Sequence, residues 1–290
     1  MSAALPLRLV PAAVRHERFY ANDVASPQSN LLYHPWRRSA RLAERLGWTL
    51  HRLRLTPQRA FELDELGLYE AEVDGAAVFV SQKLNRDRFL VALTPAQGKR
   101  VIVKSGAPAH LRIEANMLEK LGASSELAFI PPVVLDQRVS GNRLSVVLTH
   151  LQPAGRQELD DEEVLRLALS LASVDVTHGD FCPWNTVRSR HGTGLYDWEY
   201  STLGLRLAYD LTHYVVQTAT YRTHESAADC AARLLDLGKR YAEGLGLRHA
   251  EVEAGINRYL EQPGEPWGGF SRADRLRHDI KEALARRTTD

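Results

Sequence analysis

The polar residues of the segment THGDFCPWNTVRSRHGTGLYDWEY, residues 177–200, have the types and spacing that acid–base and metal chemistry requires. Asp180 can accept a proton from a hydroxyl group, because a carboxylate held on a loop can serve as a general base. Asn185 and Asp197 offer an amide oxygen and a carboxylate, which are ligands that Mg²⁺ prefers over softer metals. Transfer of a phosphoryl group from ATP to a hydroxyl needs these parts.

The same transfer needs a cation that holds the nucleotide phosphates. Lys104 ends the apolar run RVIVK, and Glu114 lies on the predicted helix that follows. A strand lysine paired with a helix glutamate is the arrangement that kinases use for the α- and β-phosphates. Glu119 lies five residues further along the helix and is the alternative partner, although its side chain would point to a different face.

The segments around these residues predict a small β-rich lobe followed by a larger helical lobe. Residues 68–152 contain five short runs rich in Val, Ile and Phe and one helix over 111–122, which indicates an antiparallel sheet. Residues 153–290 are mostly helical, and the segment LQPAG between the two parts is a predicted hinge. The fold class is therefore α+β, with two lobes. Helices are predicted over residues 160–174, 204–222, 225–243, 248–261 and 271–287.

Residues 1–67 are predicted to form a partly helical N-terminal extension. Residues 1–38 contain scattered prolines and little periodicity, whereas residues 39–53 have apolar positions at helical spacing. A second helix is expected directly afterwards, because Thr56 can cap its start and Gly67 can close its end.

The motif HGDFCPWN, residues 178–185, followed by DWE, residues 197–199, resembles the catalytic and metal-binding segments of one known superfamily. This is the aminoglycoside phosphotransferase and choline/ethanolamine kinase superfamily, which has a protein-kinase-like fold of two lobes. The resemblance extends over residues 76–215 and implies ATP- and magnesium-dependent transfer to a hydroxyl of a small molecule.

By this resemblance, Asp180 is the catalytic base, and Asn185 and Asp197 bind magnesium. Lys104 and Glu114 then form the pair that positions the phosphates. The segment THLQPAG would be the hinge against which adenine lies. The hinge residues expected to contact the nucleotide are Thr149 and Leu151.

Several neighbouring residues are given supporting roles. We expect His178 to bond the backbone near Asp197 and Asp210 to hold the catalytic loop by hydrogen bonds. Trp184 and Trp198 are interpreted as wedges that fix the loops rather than as platforms for a substrate.

The loop SQKLNRDRF departs from the superfamily pattern because it lacks the glycines that let backbone N–H groups approach phosphate. Side chains would have to take over that task, and the alternative hypothesis is a kinase-like protein that binds nucleotide without transferring phosphate. The side chains available for this are Gln82, Lys83, Asn85 and Arg86. The acceptor is left open among sugars, glycoconjugates, aminoglycosides and amino alcohols.

The composition is that of a globular protein, with 290 residues, 44% of them hydrophobic and 25% charged. A net charge of +1 argues against nucleic acid as a partner. No apolar run approaches the length of a membrane span. The two cysteines, Cys182 and Cys230, are too few for a disulfide scaffold, so we expect a cytoplasmic protein in which Cys182 is a small packing residue. The oligomeric state is left open.

Overall fold

The computed structural model describes residues 4–10, 17–21, 46–62, 73–81, 88–95, 99–154, 158–262 and 272–287. The chain divides into two compact units, Met1–Gly122 with Pro132–Leu151 and Ala123–Pro131 with Gln152–Asp290. The first unit is built on an antiparallel sheet and the second mainly on helices, which confirms the predicted α+β class. Within the described ranges, the helices are too short or too polar to cross a membrane.

Eight antiparallel strands form the sheet of the first unit, in the spatial order β3-β1-β2-β4-β5-β6-β8-β7. They are β1 (Ala4–Val10), β2 (Glu17–Ala21), β3 (Gln58–Glu62), β4 (Val73–Ser81), β5 (Arg88–Pro95), β6 (Val101–Gly106), β7 (Val134–Ser140) and β8 (Arg143–Thr149). Two helices accompany the sheet, α1 over residues 46–52 and α2 (Pro108–Gly122). The five strands predicted between residues 68 and 152 are β4 to β8.

The described parts of the N-terminal segment differ from the predicted extension. β1 and β2 lie within the stretch expected to be irregular, and β3 occupies the place of the second predicted helix, so that prediction is wrong. The helix signals around Thr56 are local, and a cap contributes only about 1 kcal/mol. Burial of the aromatic ring of Phe61 between sheet neighbours contributes about 1.5–3 kcal/mol, and therefore outweighs the cap. Helix α1 agrees with the helical spacing predicted over residues 39–53.

The sheet curls strongly enough for distant strands to touch through its interior. Phe61 on β3 and Phe89 on β5 have ring centroids 6.2 Å apart. In a flat sheet the four intervening strand spacings would separate them by about 19 Å. Tyr20 lies edge-on to Phe61 at 5.0 Å, and Leu7 and Val78 are fully buried in the same core. The first unit is thus close to a barrel with a filled interior.

Helix α1 covers the outer face of the added strands. Trp48 is almost completely buried in a cluster with Val10, Ala21 and two small β4 and β5 residues, Ala77 and Ala92. The indole fits there because the alanines leave room for it. The N-terminal strands are therefore packed on both faces.

The helices of the second unit are placed as predicted, to within a few residues at each end. They are α3 (Asp161–Ser173), α4 (Tyr209–Thr218), a π-helix (Ala219–Thr223), α5 (Ala227–Leu245), α6 (His249–Glu261) and α7 (Arg272–Arg287). α3 begins with a capping box in which Asp160 and Glu163 exchange hydrogen bonds. Three acids of its first turn form ion pairs with arginines: Asp161 with Arg233, Glu162 with Arg240 and Glu163 with Arg188.

Replacing Phe61 by alanine is expected to lower the free energy of unfolding by about 3–5 kcal/mol, because it leaves a cavity in the closed sheet. Urea unfolding followed by circular dichroism measures the change, and Glu62→Ala, on the exposed face of the same strand, is the control. A loss of less than about 1 kcal/mol for Phe61→Ala would indicate an exposed phenylalanine and contradict the curled sheet.

Candidate functional site

Two small ladders in the second unit hold the loops that carry the candidate residues. Asp180 lies between β9 (Val176–Thr177) and β10 (Thr186–Ser189). β10 pairs with β11 (Gly192–Leu195), and β9 pairs with β12 (Thr202–Leu203). Asp197 is the second residue after β11 and directly precedes a short 3₁₀ helix. The candidate side chains are thus carried on loops whose ends are fixed by sheet pairing.

The structure brings Asn185 against Asp180. The Asn185 amide Nδ2 donates to the Asp180 carboxylate Oδ2 at 2.9 Å and to the Asp180 carbonyl oxygen at 2.9 Å. Because the amide nitrogen is used in this way, the amide oxygen is the atom that remains for a cation. Asn185 is buried, whereas the Asp180 side chain keeps 26% of its surface exposed and can be reached by another molecule.

The residue that precedes Asp197 is bonded to Asn185. The backbone N–H of Tyr196 donates to the carbonyl oxygen of Asn185 at 2.9 Å, which holds the end of β11 to the catalytic loop. Asp197 has a left-handed backbone with φ of 67°, a conformation that costs about 1 kcal/mol or more in a residue other than glycine and is often found at functional sites. One amide oxygen and one carboxylate suit magnesium, which keeps several waters and takes further oxygens from phosphates.

His178 has the structural role that was predicted. Its Nε2–H donates to the carbonyl oxygen of Tyr196 at 3.0 Å, and its Nδ1 accepts the backbone N–H of Asp180 at 3.3 Å. Burial lowers the pKa of His178, against the raising effect of Asp210 and the other nearby carboxylates. The imidazole is therefore neutral, which is the state in which Nδ1 can accept.

Asp210 holds the backbone of the loop that carries Asp180 by hydrogen bonds, also as predicted. Its carboxylate accepts the N–H of His178 at 2.8 Å and the N–H of Gly179 at 3.0 Å. Burial raises the pKa of Asp210, and His178 and the two N–H donors oppose that shift. Gly179 has φ of +84°, and a Cβ there would lie 2.3 Å from the carbonyl oxygen of Tyr200. No other residue type fits at this position.

The two tryptophans behave differently from each other. Trp198 is completely buried, donates its Nε1–H to the carbonyl oxygen of Leu195 at 2.8 Å and packs 4.4 Å from the His178 ring, so it is a wedge as predicted. Trp184 is 40% exposed and lies edge-on to the exposed Tyr221 at 5.7 Å, so the wedge prediction is wrong for it.

A turn of the loop explains why Trp184 is exposed. The N–H of Asn185 donates to the carbonyl oxygen of Cys182 at 3.0 Å, and Trp184 is at a corner of that turn, from which its side chain projects. Cys182 itself is fully buried, and burial raises the pKa of its thiol, which fits a packing role.

In the first unit, Lys104 and Glu114 form an ion pair. The Lys104 Nζ on β6 donates to both carboxylate oxygens of Glu114 on α2, at 2.7 and 2.9 Å. Glu114 is fully buried, so its charge needs this partner. The competitor Glu119 instead accepts the amide of Gln137 at 2.7 Å. Glu114, whose position on the helix favoured it over Glu119, is therefore the partner of Lys104.

The predicted hinge residues lie at the end of β8. The Thr149 hydroxyl accepts the backbone N–H of Val133 at 2.8 Å, and Leu151 is half-buried. Between them, His150 has both ring nitrogens buried without a hydrogen-bond partner among the described residues. Burial, with the charge of Arg100, lowers the pKa of His150 to about 4, so the ring is neutral. Sequence reasoning passed over this histidine. The loop residues Gln82, Lys83, Asn85 and Arg86 lie outside the described residues.

A second histidine was also missed. The His213 Nε2 lies 3.0 Å from the Asp180 carboxylate Oδ1, and its Nδ1 lies 3.0 Å from the Tyr259 hydroxyl. The signal in the sequence was its spacing, three residues after Asp210 on a predicted helix, which places both side chains on one face.

Comparison with known proteins gives distant structural likenesses and one family. WbdD, a bifunctional kinase-methyltransferase, is 14% identical over 67% of this chain and 47% of its own, with a TM-score of 0.38, so the chain spans about half the length of WbdD. A putative fructosamine-3-kinase from Haemophilus somnus 129PT is 11% identical over 77% of this chain and 95% of its own, with a TM-score of 0.45. The aminoglycoside phosphotransferase APH(4)-Ia, in complex with ADP and hygromycin B, is 13% identical over 77% and 96%, with a TM-score of 0.46.

No curated protein matches the chain. These TM-scores are low, and the assignment rests on the family model, which matches residues 34–247 and so covers most of the chain, including every candidate site residue. The chain belongs to the APH phosphotransferase enzyme family.

Proposed function

We propose that the protein transfers the terminal phosphoryl group of ATP, with magnesium, to a hydroxyl of a small molecule. The observation that carries the proposal is the hydrogen bond from the Asn185 amide nitrogen to the Asp180 carboxylate. It leaves the amide oxygen of Asn185 for a cation and the second carboxylate oxygen of Asp180 near the place where a hydroxyl proton would be accepted. Membership of a phosphotransferase family gives the reaction class. The nature of the acceptor and the roles of the individual residues are the proposed part.

In this reaction Asp180 orients the acceptor hydroxyl and receives its proton. The loop that carries Asp180 cannot drift, because Asp210 holds the two residues before it and Asn185 holds its side chain. Asn185 and Asp197 would bind magnesium through oxygen atoms, and magnesium when bound supplies charge neutralisation on the nucleotide phosphates.

Lys104 is proposed to bind the nucleotide phosphates. Its Nζ is held by both oxygens of Glu114, and the lysine keeps 13% of its side-chain surface exposed. An ammonium group fixed in this way is a preorganised cation, which suits the binding of phosphate. Thr149 and Leu151 are proposed to line the adenine site, where the neutral ring of His150 adds no charge.

The acceptor is proposed to be a sugar, glycoconjugate, aminoglycoside or amino alcohol. Trp184 precedes Asn185 and exposes an aromatic surface together with Tyr221, and such surfaces bind the apolar face of a sugar ring or a cationic group.

Both cysteines are unpaired, as the proposed cytoplasmic location requires. Nucleotide binding without transfer is the weaker alternative, because such a protein would have no need for the contact between Asp180 and Asn185.

Asp180→Asn is expected to reduce magnesium-dependent ADP formation by about 10²–10⁴-fold, because it removes the general base. ADP release is measured with a panel of sugars, aminoglycosides and amino alcohols, and ATP affinity is measured separately and should persist. Asp236→Asn, at an exposed position of α5, is the control. Wild-type protein that binds ATP but turns over none of the acceptors would instead support the alternative.

Lys104→Met is expected to weaken ATP binding by about 10–100-fold, because it removes a charge-assisted bond to phosphate. It also leaves the buried Glu114 carboxylate without its cation, which lowers stability. The double variant Lys104→Met/Glu114→Gln should recover the melting temperature but not ATP affinity, and calorimetry measures both. Glu119→Gln on the same helix should change neither. Recovery of ATP binding in the double variant would assign the pair a structural role only.

Trp184→Ala is expected to raise the KM for the acceptor by about 5–50-fold, because stacking on an aromatic ring contributes about 1–2 kcal/mol. The KM for ATP should stay constant, since Trp184 is assigned only to the acceptor. Leu203→Ala, which removes another exposed apolar side chain of this unit, is the matched control. Equal effects of the two variants on acceptor KM would refute a specific contact.

A further inference from the structure

Helix α4 contacts the loop that carries Asp180 through Tyr209, Asp210 and His213. Asp210 and His213 lie three residues apart and hence on the same face of the helix. Asp210 binds the backbone of residues 178 and 179, whereas His213 reaches the side chain of Asp180 itself. The second contact is not needed to hold the loop, so it calls for an explanation of its own.

The protons on His213 follow from its partners. A carboxylate only accepts, so the His213 Nε2, 3.0 Å from the Asp180 Oδ1, carries a hydrogen and donates it. The His213 Nδ1 lies 3.0 Å from the Tyr259 hydroxyl, which donates when Nδ1 carries no hydrogen. Hydrogen bonds therefore link Tyr259 through His213 to Asp180.

The imidazole is held by more than these two bonds. Its ring lies parallel to that of Tyr209, with an interplanar angle of 7° and 6.0 Å between centroids, and edge-on to Tyr259 at 5.8 Å. The Arg206 guanidinium lies over the Tyr209 ring at 3.8 Å. The His213 side chain is only 6% exposed, so it has little room to change its rotamer.

Gly255 allows Tyr259 to join the hydrogen bonds that lead through His213 to Asp180. Helix α6 passes so close to α4 that a Cβ on Gly255 would lie 2.3 Å from the carbonyl oxygen of Leu207, just before α4 begins. Tyr259 is one helical turn after Gly255 on the same face of α6. The close approach of α6 at Gly255 therefore brings the Tyr259 hydroxyl within reach of His213.

We propose that His213 is a positioning residue for phosphoryl transfer, with Tyr259 as the residue that orients it. The inference rests on the proposed function, in which Asp180 is the base. Asn185 binds one carboxylate oxygen of Asp180 and His213 binds the other, so the carboxylate cannot rotate about its bond to Cβ. Its remaining lone pairs consequently point in a fixed direction, where the acceptor hydroxyl must arrive.

Phosphoryl transfer in this geometry forms one bond to phosphorus and breaks another. The acceptor oxygen forms a bond to the terminal phosphorus of ATP, and the bond from that phosphorus to the bridging oxygen breaks with its electron pair remaining on ADP. The hydroxyl proton passes to Asp180. His213 keeps its own proton throughout, and contributes by holding Asp180 in the orientation from which that proton is taken.

The test compares His213→Leu, His213→Gln and Tyr259→Phe in the full chain, with ATP, magnesium and the best acceptor of the panel. His213→Leu is expected to lower kcat by about 10–100-fold while the KM for ATP changes less than about twofold, because only orientation is lost. His213→Gln should recover most of kcat, since its amide can donate to the same carboxylate oxygen. Tyr259→Phe should give a smaller loss of about 2–5-fold, because the donor to Nδ1 is gone but the ring contacts remain.

Melting temperatures show whether each variant folds, and His278→Leu, at an exposed position of α7, controls for loss of an imidazole. A folded His213→Leu variant with wild-type kcat would overturn this inference and leave the proposed function intact. Equal losses of kcat in the leucine and glutamine variants would also overturn it, because a donor to Asp180 would then not matter. Wild-type protein without turnover on any acceptor would overturn the proposed function and this inference together.

Discussion

The conformation of the loop that carries Asp180 depends on the buried carboxylate of Asp210, whose charge is stabilised by two backbone N–H groups. Asp210 sits inside the helical unit, where an unpartnered charge would be strongly destabilising. The N–H groups of His178 and Gly179 solvate it, and they can do so only when the loop adopts the observed turn. The cost of burying the charge is therefore what enforces the loop conformation, and the position of Asp180 follows from it.

Glycine at 179 and the neutral state of His178 are requirements of the same arrangement. Gly179 brings the chain close to Tyr200 with a positive φ, and His178 accepts the N–H of Asp180 while donating to Tyr196. Each contact satisfies a polar group that would otherwise be buried without a partner. The conformation of the loop is consequently fixed by several contacts at once, which suits the role of base proposed for Asp180.

The sequence predicted some of the residues that support the loop of Asp180, among them His178 and Asp210, and missed others. The spacing from Asp180 to Asn185 is local, and both side chains take part in one short turn, so the motif already specified their contact. His213 lies 33 residues from Asp180, and its spacing from Asp210 was the one sequence signal for its contact. Tyr259 lies 46 residues beyond His213, so its contact is revealed by the packing of α4 and α6. Trp184 was misjudged because its burial depends on the side of a turn from which it projects.

Dependence on distant parts of the sequence also explains why strand β3 was mistaken for a helix. Capping residues around Thr56 signal a helix from within the segment itself, but the partner strand β1 lies some fifty residues earlier and does not appear in any local pattern. Sheet pairing is decided by such remote partners, whereas helices are decided largely by their own residues, and helices α3 to α7 were accordingly placed well. The ion pair between Lys104 and Glu114 was predicted because it joins a strand to the helix that directly follows.

The strands β1 and β2 precede residue 34, where the family match begins, and yet they complete the sheet. Without β2, strand β4 would be left as the border of the sheet, with a row of unsatisfied N–H and C=O groups on a stretch as apolar as AAVFV. Such a border readily recruits a strand from another molecule. The N-terminal strands therefore cover an apolar edge of the sheet that could otherwise pair with a strand of another molecule.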